Sequence, residues 1–161
     1  MKKMTLVIPY EEYESMAEMP VQDRALMEAA IAATRNAYAP YSNFCVGAAL
    51  RLRSGRIVNG SNQENAAYPS GICAERTAIF YAHAAWPDDP IEALAVVAAV
   101  NGVITSTYTY PCGACRQVLV ETEQRAKAPL RILVGSADKV LVFEGISSLL
   151  PFVFDNLPEK H

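Results

Sequence analysis

The chain has 161 residues, 52% of them hydrophobic and 19% charged, with a formal net charge of −3. That length lets one domain bury roughly 70% of its unfolded surface, and the apolar content excludes a disordered chain. The negative balance without a Lys/Arg run argues against a phosphate-tracking nucleic-acid surface, and no apolar run reaches the length of a membrane span.

Residues 1–9 hold two lysines and only the short apolar run Thr5-Leu6-Val7-Ile8, too short for the core of a signal peptide. The expected compartment is therefore the cytoplasm, where four cysteines remain reduced thiols. Residues 1–20 read as an N-terminal extension, at most an edge strand, of a single domain over residues 1–161. A helix is predicted over 22–38, with Leu26, Ala29, Ala30, Ala33 and Ala37 on one face and Asp23 as its N-cap. Strands are predicted over 44–53 and 56–60, joined by a hairpin turn at Ser54-Gly55. Residues 62–72 are a polar loop, and a helix follows from Cys73 to Ala85 before Pro87 and Pro90 end it. The nearly all-apolar run 91–100 reads as a central strand buried on both faces, closed by a turn at Asn101-Gly102. A helix beginning at Cys112, strands at 130–134 and 140–143, and a short helix at 146–150 complete an α/β sandwich.

Two motifs carry the chemistry: Cys73-Ala74-Glu75 and Pro111-Cys112-Gly113-Ala114-Cys115. Three thiolates hold a tetrahedral zinc ion with one position open, and a zinc ion of that kind activates water. Glu75 is spaced to reach that water without ligating the metal. The combination is the zinc-deaminase signature, in which an amidine-like ring carbon is attacked and ammonia expelled. Cys73 and Cys112 fall at predicted helix N-termini, where free N–H groups favour a thiolate. Cys115 lies one turn on from Cys112 and shares its face. Three thiolates leave Zn²⁺ with a net charge of −1, and Arg76 and Arg116 are the candidates to donate to sulfur and offset it.

Simpler readings compete. A Cys-x-x-Cys pair can be a redox couple, and a structural zinc site would recruit Cys45 as its fourth ligand. Cys45, in a predicted strand, reads better as a small buried hydrophobe. The histidines are poor ligands: His161 ends the chain, and His83 lies about 15 Å along the helix from Cys73. Tyr38, Tyr41 and Ser42 read as turn and packing residues, and Asn62 with Glu64 as an Asx-turn pair.

Phe44-Cys45-Val46-Gly47-Ala48-Ala49-Leu50, Asn62-Gln63-Glu64-Asn65-Ala66, Ser70-Gly71-Ile72-Cys73-Ala74-Glu75-Arg76-Thr77-Ala78, Pro111-Cys112-Gly113-Ala114-Cys115-Arg116-Gln117-Val118-Leu119 and the tail Leu149-Leu150-Pro151-Phe152-Val153-Phe154 follow one another in the chain. In that order they resemble the small, homotetrameric, zinc-dependent cytidine deaminases over about residues 22–155. The resemblance implies a three-layer α/β/α fold with a five-stranded mixed sheet and one zinc ion per subunit, held by Cys73, Cys112 and Cys115. It implies that Glu75 shuttles protons and that Asn62 and Glu64 hold the ribose 3′-hydroxyl. By the same likeness Phe44 packs on the pyrimidine and the Ala74 backbone reads the base edge. Tyr68 and Phe154 would enter a neighbouring subunit's pocket, making the active sites composite. The implied reaction is conversion of cytidine and deoxycytidine to the uridines in pyrimidine salvage. Two positions depart from the family pattern, Cys45 where proline is common and Tyr110 where serine is usual. The alternatives are a deaminase of another nucleoside-like substrate such as a blasticidin-type antibiotic, a polynucleotide-editing deaminase, and a non-catalytic zinc-binding module.

Overall fold

Strict alternation along the strands decides which side of the sheet each helix covers. The computed structural model describes residues 1–155. In chain order the elements are β1 (Glu11–Tyr13), α1 (Val21–Ala33), β2 (Phe44–Leu52), β3 (Ile57–Ser61), α2 (Ala74–Ala85), β4 (Ile91–Val100), β5 (Val103–Ile104), α3 (Gly113–Ala126), β6 (Arg131–Gly135) and β7 (Val140–Glu144). Ala48, Leu50, Leu94, Val96, Ile132, Val134 and Leu141 point to one face, where they meet Ala78 and Ile79 of α2 and Leu119 of α3. Ala49, Ala93, Ala95, Val97, Leu133 and Val142 point to the other, under Leu26, Met27 and Ala30 of α1. Helices thus cover both faces of one sheet, with β4 buried at its centre.

The strands run in the order β1-β7-β6-β4-β2-β3, with β5 paired to β4. Among these pairs, β4 with β6 is parallel and the rest are antiparallel. The sheet therefore has seven strands rather than five. All five predicted strands form, and the two additions are too short to leave a periodic pattern in the sequence. β1 is a three-residue edge strand pairing with β7, and β5 is a two-residue return from the turn at Asn101 and Gly102. Both turn residues have positive φ, 52° and 77°, as a two-residue hairpin of this hand requires.

Three further details differ from the sequence reading. α1 ends at Ala33 and tightens into a 3-10 turn over Thr34–Asn36, where the Thr34 hydroxyl donates to Ile31 O at 2.8 Å and competes with the helical ladder. Pro20, not Asp23, is the N-cap; Asp23 is buried and accepts Arg51 at 3.1 Å and Arg131 at 2.8 Å. The element near residue 146 is a 3-10 turn over Ile146–Ser148. Close approach to the sheet fixes α2, since a Cβ on Gly60 of β3 would stand 2.7 Å from Ala78 N. Among the described residues no helix is long and apolar enough to cross a membrane.

Candidate metal and active site

α2 and α3 present their N-terminal ends to the same point. Cys73 caps α2 and Cys112 caps α3, so each thiol sits among N–H groups that have no intrahelical acceptor. Cys115, in the first turn of α3, is buried and completes the group. The three Sγ atoms lie within 4.8 Å of one another, and Cys73 and Cys112 are 3.7 Å apart. No histidine, carboxylate or further cysteine joins them among the described residues. Three convergent sulfurs without a fourth protein ligand are the donor set of a tetrahedral zinc site with an open position. The fit to zinc rests on this sulfur geometry. Cys45 stays half-buried in β2 opposite Ala99, outside the group. His83 is half-buried far along α2, and His161 lies outside the described residues.

Arg76 Nη2 donates to Cys73 Sγ at 3.6 Å, while its Nε is buried without a partner. The Cys73 thiol is held well below its ordinary range, first by the hydrogen bond from Cys115 and then by the guanidinium. Cys115 is pushed up correspondingly, because it keeps the shared proton and is buried. Arg116 does not reach sulfur: its Nε donates to Pro111 O at 2.8 Å and its Nη1 to Leu149 O at 2.6 Å. The Pro111 carbonyl precedes the helix and has no helical donor, so it captures the guanidinium first.

A cavity of about 780 Å³ opens onto this group. Cys73, Cys112, Glu75 and Arg76 line it, together with Phe44, Asn62, Glu64, Tyr68 and Tyr110. Glu75 is 3% exposed. Burial pushes its carboxyl up to about 7, and the Cys73 thiolate adds to the shift against the opposing hydrogen bond from its own backbone. It can therefore take up and release a proton near neutrality.

Glu64 is held as an acceptor. The Ser42 hydroxyl donates to its Oε1, and the Tyr41 and Ser42 N–H groups donate to Oε2 at 2.9 and 3.3 Å. The Ser42 hydroxyl, then the Tyr41 N–H, hold its carboxyl below the usual range. Tyr41 and Ser42, which the sequence assigns to a turn and packing, do form a turn, with Asn43 N donating to Ala39 O, and they also orient this carboxylate. No local pattern announces that contact, because its partners are 22 and 23 residues apart. Asn62 staples β2, accepting from Val46 N at 2.8 Å and donating to Phe44 O at 2.9 Å. Ala74 is fully buried at the first position of α2. Phe154 is exposed and lies outside the cavity of its own chain, with its carbonyl accepting from Gln117 Nε2 at 2.8 Å.

Residues 20–128 match the family described as the cytidine and deoxycytidylate deaminase zinc-binding region. The cytidine deaminase of Halalkalibacterium halodurans is 40% identical over 129 residues, which are 80% of this chain and 91% of that one. A solved cytidine deaminase from Burkholderia pseudomallei superposes with a TM-score of 0.67 at 44% identity, covering 81% of this chain and 97% of its own. The cytidine deaminase from Mycobacterium tuberculosis does so with a TM-score of 0.66 at 33% identity, over 85% and 100%. The matched span 20–128 holds all three cysteines of the sulfur group and Glu75.

Proposed function

Because the chain belongs to the cytidine and deoxycytidylate deaminase family, we propose that it hydrolyses cytidine and deoxycytidine to uridine and deoxyuridine, releasing ammonia. One observation carries this reading: a buried carboxyl raised to about 7 and two of three convergent sulfurs, Cys73 and Cys112, line one cavity, with Cys115 buried behind them. Cys73, Cys112 and Cys115 would hold one zinc ion per subunit, and zinc supplies a Lewis acid that brings the pKa of bound water towards neutrality. Glu75 then moves the protons. Its carboxylate accepts one from the attacking water, delivers it to ring N3, and serves the departing amino group as C4–N breaks. Arg76, donating to the Cys73 sulfur, helps the Cys115 hydrogen bond to keep Cys73 in the thiolate form.

Phe44 packs against the pyrimidine, and the Ala74 backbone meets its polar edge. The ribose clamp follows from what the side chains have left to offer. A carboxylate has about four lone-pair sites and an amide nitrogen two N–H groups. Three donors already occupy Glu64, and one N–H of Asn62 is spent on Phe44 O. One acceptor site on Glu64 and one donor on Asn62 remain, complementary to a hydroxyl that both donates and accepts. Assigning that hydroxyl to the ribose 3′ position leaves deoxycytidine a substrate. The exposed Phe154, outside its own chain's cavity, suits insertion into a neighbouring subunit of a homotetramer, each chain acting as one domain, while the exposed Tyr68 stands at the mouth of its own cavity, where such a neighbour would meet it. A cytoplasmic enzyme of pyrimidine salvage is the role this chemistry fits.

Ultraviolet-monitored turnover of cytidine by purified protein tests the reading, beside Glu75→Ala with zinc measured in both. The expected result is uridine from the wild type alone with equal zinc in each. A fully zinc-loaded wild type that leaves cytidine untouched would refute it.

A further inference from the structure

A second cavity, of about 530 Å³, lies beside the catalytic one, and Tyr110 lines both. Tyr110 precedes Pro111, which restricts its backbone to extended conformations. It stands two residues from Cys112, so its ring belongs to the immediate surroundings of the sulfur group. Arg116 fixes the loop from beneath through Pro111 O.

The ring itself is gripped from the N-terminal side. It meets Tyr108 with centroids 6.2 Å apart and Phe143 of β7 edge-on at 6.4 Å. Phe143 is touched in turn by Tyr10 at 5.7 Å. The Tyr108 hydroxyl donates to Glu12 Oε2 at 2.8 Å. Glu12 is fixed opposite Leu141 in the β1–β7 ladder, and its other oxygen receives Lys139 at 3.0 Å. Burial first, then the Glu12 carboxylate, push the Tyr108 hydroxyl up to about 12, so it remains a donor at neutral pH. Aromatic pairs of this geometry contribute about 0.5–1.5 kcal/mol each beyond their area, enough to hold a half-exposed ring in one place. Both routes from Tyr110 end on Tyr10 and Glu12, outside the span 20–128 that matches the family.

We propose that Tyr110 is a substrate-binding wall of the catalytic cavity, and that Tyr10 and Glu12 are positioning residues that hold it through Phe143 and Tyr108. The proposal rests on the reading of that cavity as a cytidine site. With the wall in place, the nucleoside is confined over the sulfur group; without it, the two cavities merge and binding weakens while the proton chemistry of Glu75 is left standing.

Steady-state kinetics on zinc-loaded protein test this. Tyr110→Ser should raise KM for cytidine about tenfold, the low end for a lost apolar contact in a pocket, while kcat falls less than threefold. Tyr110→Phe, which restores the ring, should recover most of that loss. Glu12→Ala should raise KM several-fold, and Glu12→Gln, whose amide oxygen still accepts from Tyr108, should bring it back, with zinc content constant throughout. The proposal is overturned if KM stays within twofold of wild type in Tyr110→Ser or in Glu12→Ala. It is equally overturned if the losses fall on kcat together with zinc. A wild type inactive on cytidine would bring down the functional reading and the wall with it; an active wild type with unmoved KM brings down the wall alone.

Discussion

Gly60→Ala should disable the metal site from the far side of α2. Gly60 lies in β3 where α2 crosses it, and an added Cβ would press on the Ala74 carbonyl and come within 2.7 Å of Ala78 N. Both partners are backbone atoms of a helix, so no side chain can swing aside. Restoring an ordinary 3.4 Å separation demands a displacement of at least about 0.7 Å at Ala78 N, and more at the Ala74 carbonyl, which the Cβ meets closer still. Cys73 and Glu75 ride on that helix, whereas Cys112 and Cys115 ride on α3. Metal–ligand distances tolerate only about 0.2 Å, so the displacement exceeds the tolerance roughly threefold. Overpacking should cost about 1–3 kcal/mol of stability, or roughly 2–12 °C in Tm for a chain of this size. Zinc affinity should fall at least about tenfold, and kcat per bound zinc by about tenfold or more. Gly47→Ala is the control. Its Cβ would press on the Ala30 carbonyl of α1, more tightly than any contact at Gly60, and meet Thr34 N at the same 2.7 Å, on the opposite face of the sheet. That variant should lose at least as much stability and keep its zinc. Chelator competition and zinc-normalised turnover separate the two; wild-type zinc affinity in Gly60→Ala, or equal zinc loss in Gly47→Ala, would refute the reasoning.

Glu75 should make the metal-free protein pH-sensitive. Its folded pKa of about 7 lies above the ordinary 4.5, so the fold binds the extra proton between those values and loses stability as pH rises through them. Glu75→Gln should therefore gain up to roughly 3 kcal/mol over metal-free wild type above pH 7 and little near pH 4.5; urea titrations giving a pH-independent difference would contradict this. Asp23→Ala leaves Arg51, 16% exposed, without its carboxylate and Arg131, 23% exposed, with Glu144 alone, and should cost about 3 kcal/mol without changing zinc content, as urea melts and metal analysis can check. Arg76→Gln removes a positive charge that lowers the Glu75 carboxyl, so the acid limb of the pH–rate profile should move to higher pH, and zinc affinity should fall about 10–100-fold. An unmoved limb would count against the assigned proton role.

The sulfur group was legible because local geometry fixes most of it. Cys112 and Cys115 are one helical turn apart, and the motifs place Cys73 and Cys112 at helix starts, where both are found as caps. Contacts across long separations were not legible. Asp23 carries the signature of an N-cap, yet its partners Arg51 and Arg131 are 28 and 108 residues away. Arg76 sits beside Glu75 and Arg116 beside Cys115 in the sequence, and only the three-dimensional position of the Pro111 carbonyl separates their roles. β1 reads as two glutamates and a tyrosine, with no apolar alternation; the exposed edge of β7 makes it a strand.

Charge explains why one arginine matters and the other does not. Zinc with three thiolates carries a net −1, and adding a carboxylate beside it would bring the site to −2 in a place largely withdrawn from water. Such a site either loses metal or keeps a proton it cannot release. Arg76, directed at Cys73 Sγ, returns the metal group to neutrality without pairing with Glu75 itself. Burial dominates at Glu75, with the Cys73 thiolate adding to it and the Arg76 charge opposing it, and its carboxyl is raised to about 7. Had the guanidinium faced the carboxylate, Glu75 would be held ionised and poor at donating to the departing amino group. On the proposed reading, this division of labour, with cation to sulfur and burial acting chiefly on the carboxyl, would let one small cavity hold a metal and pass a proton at neutral pH.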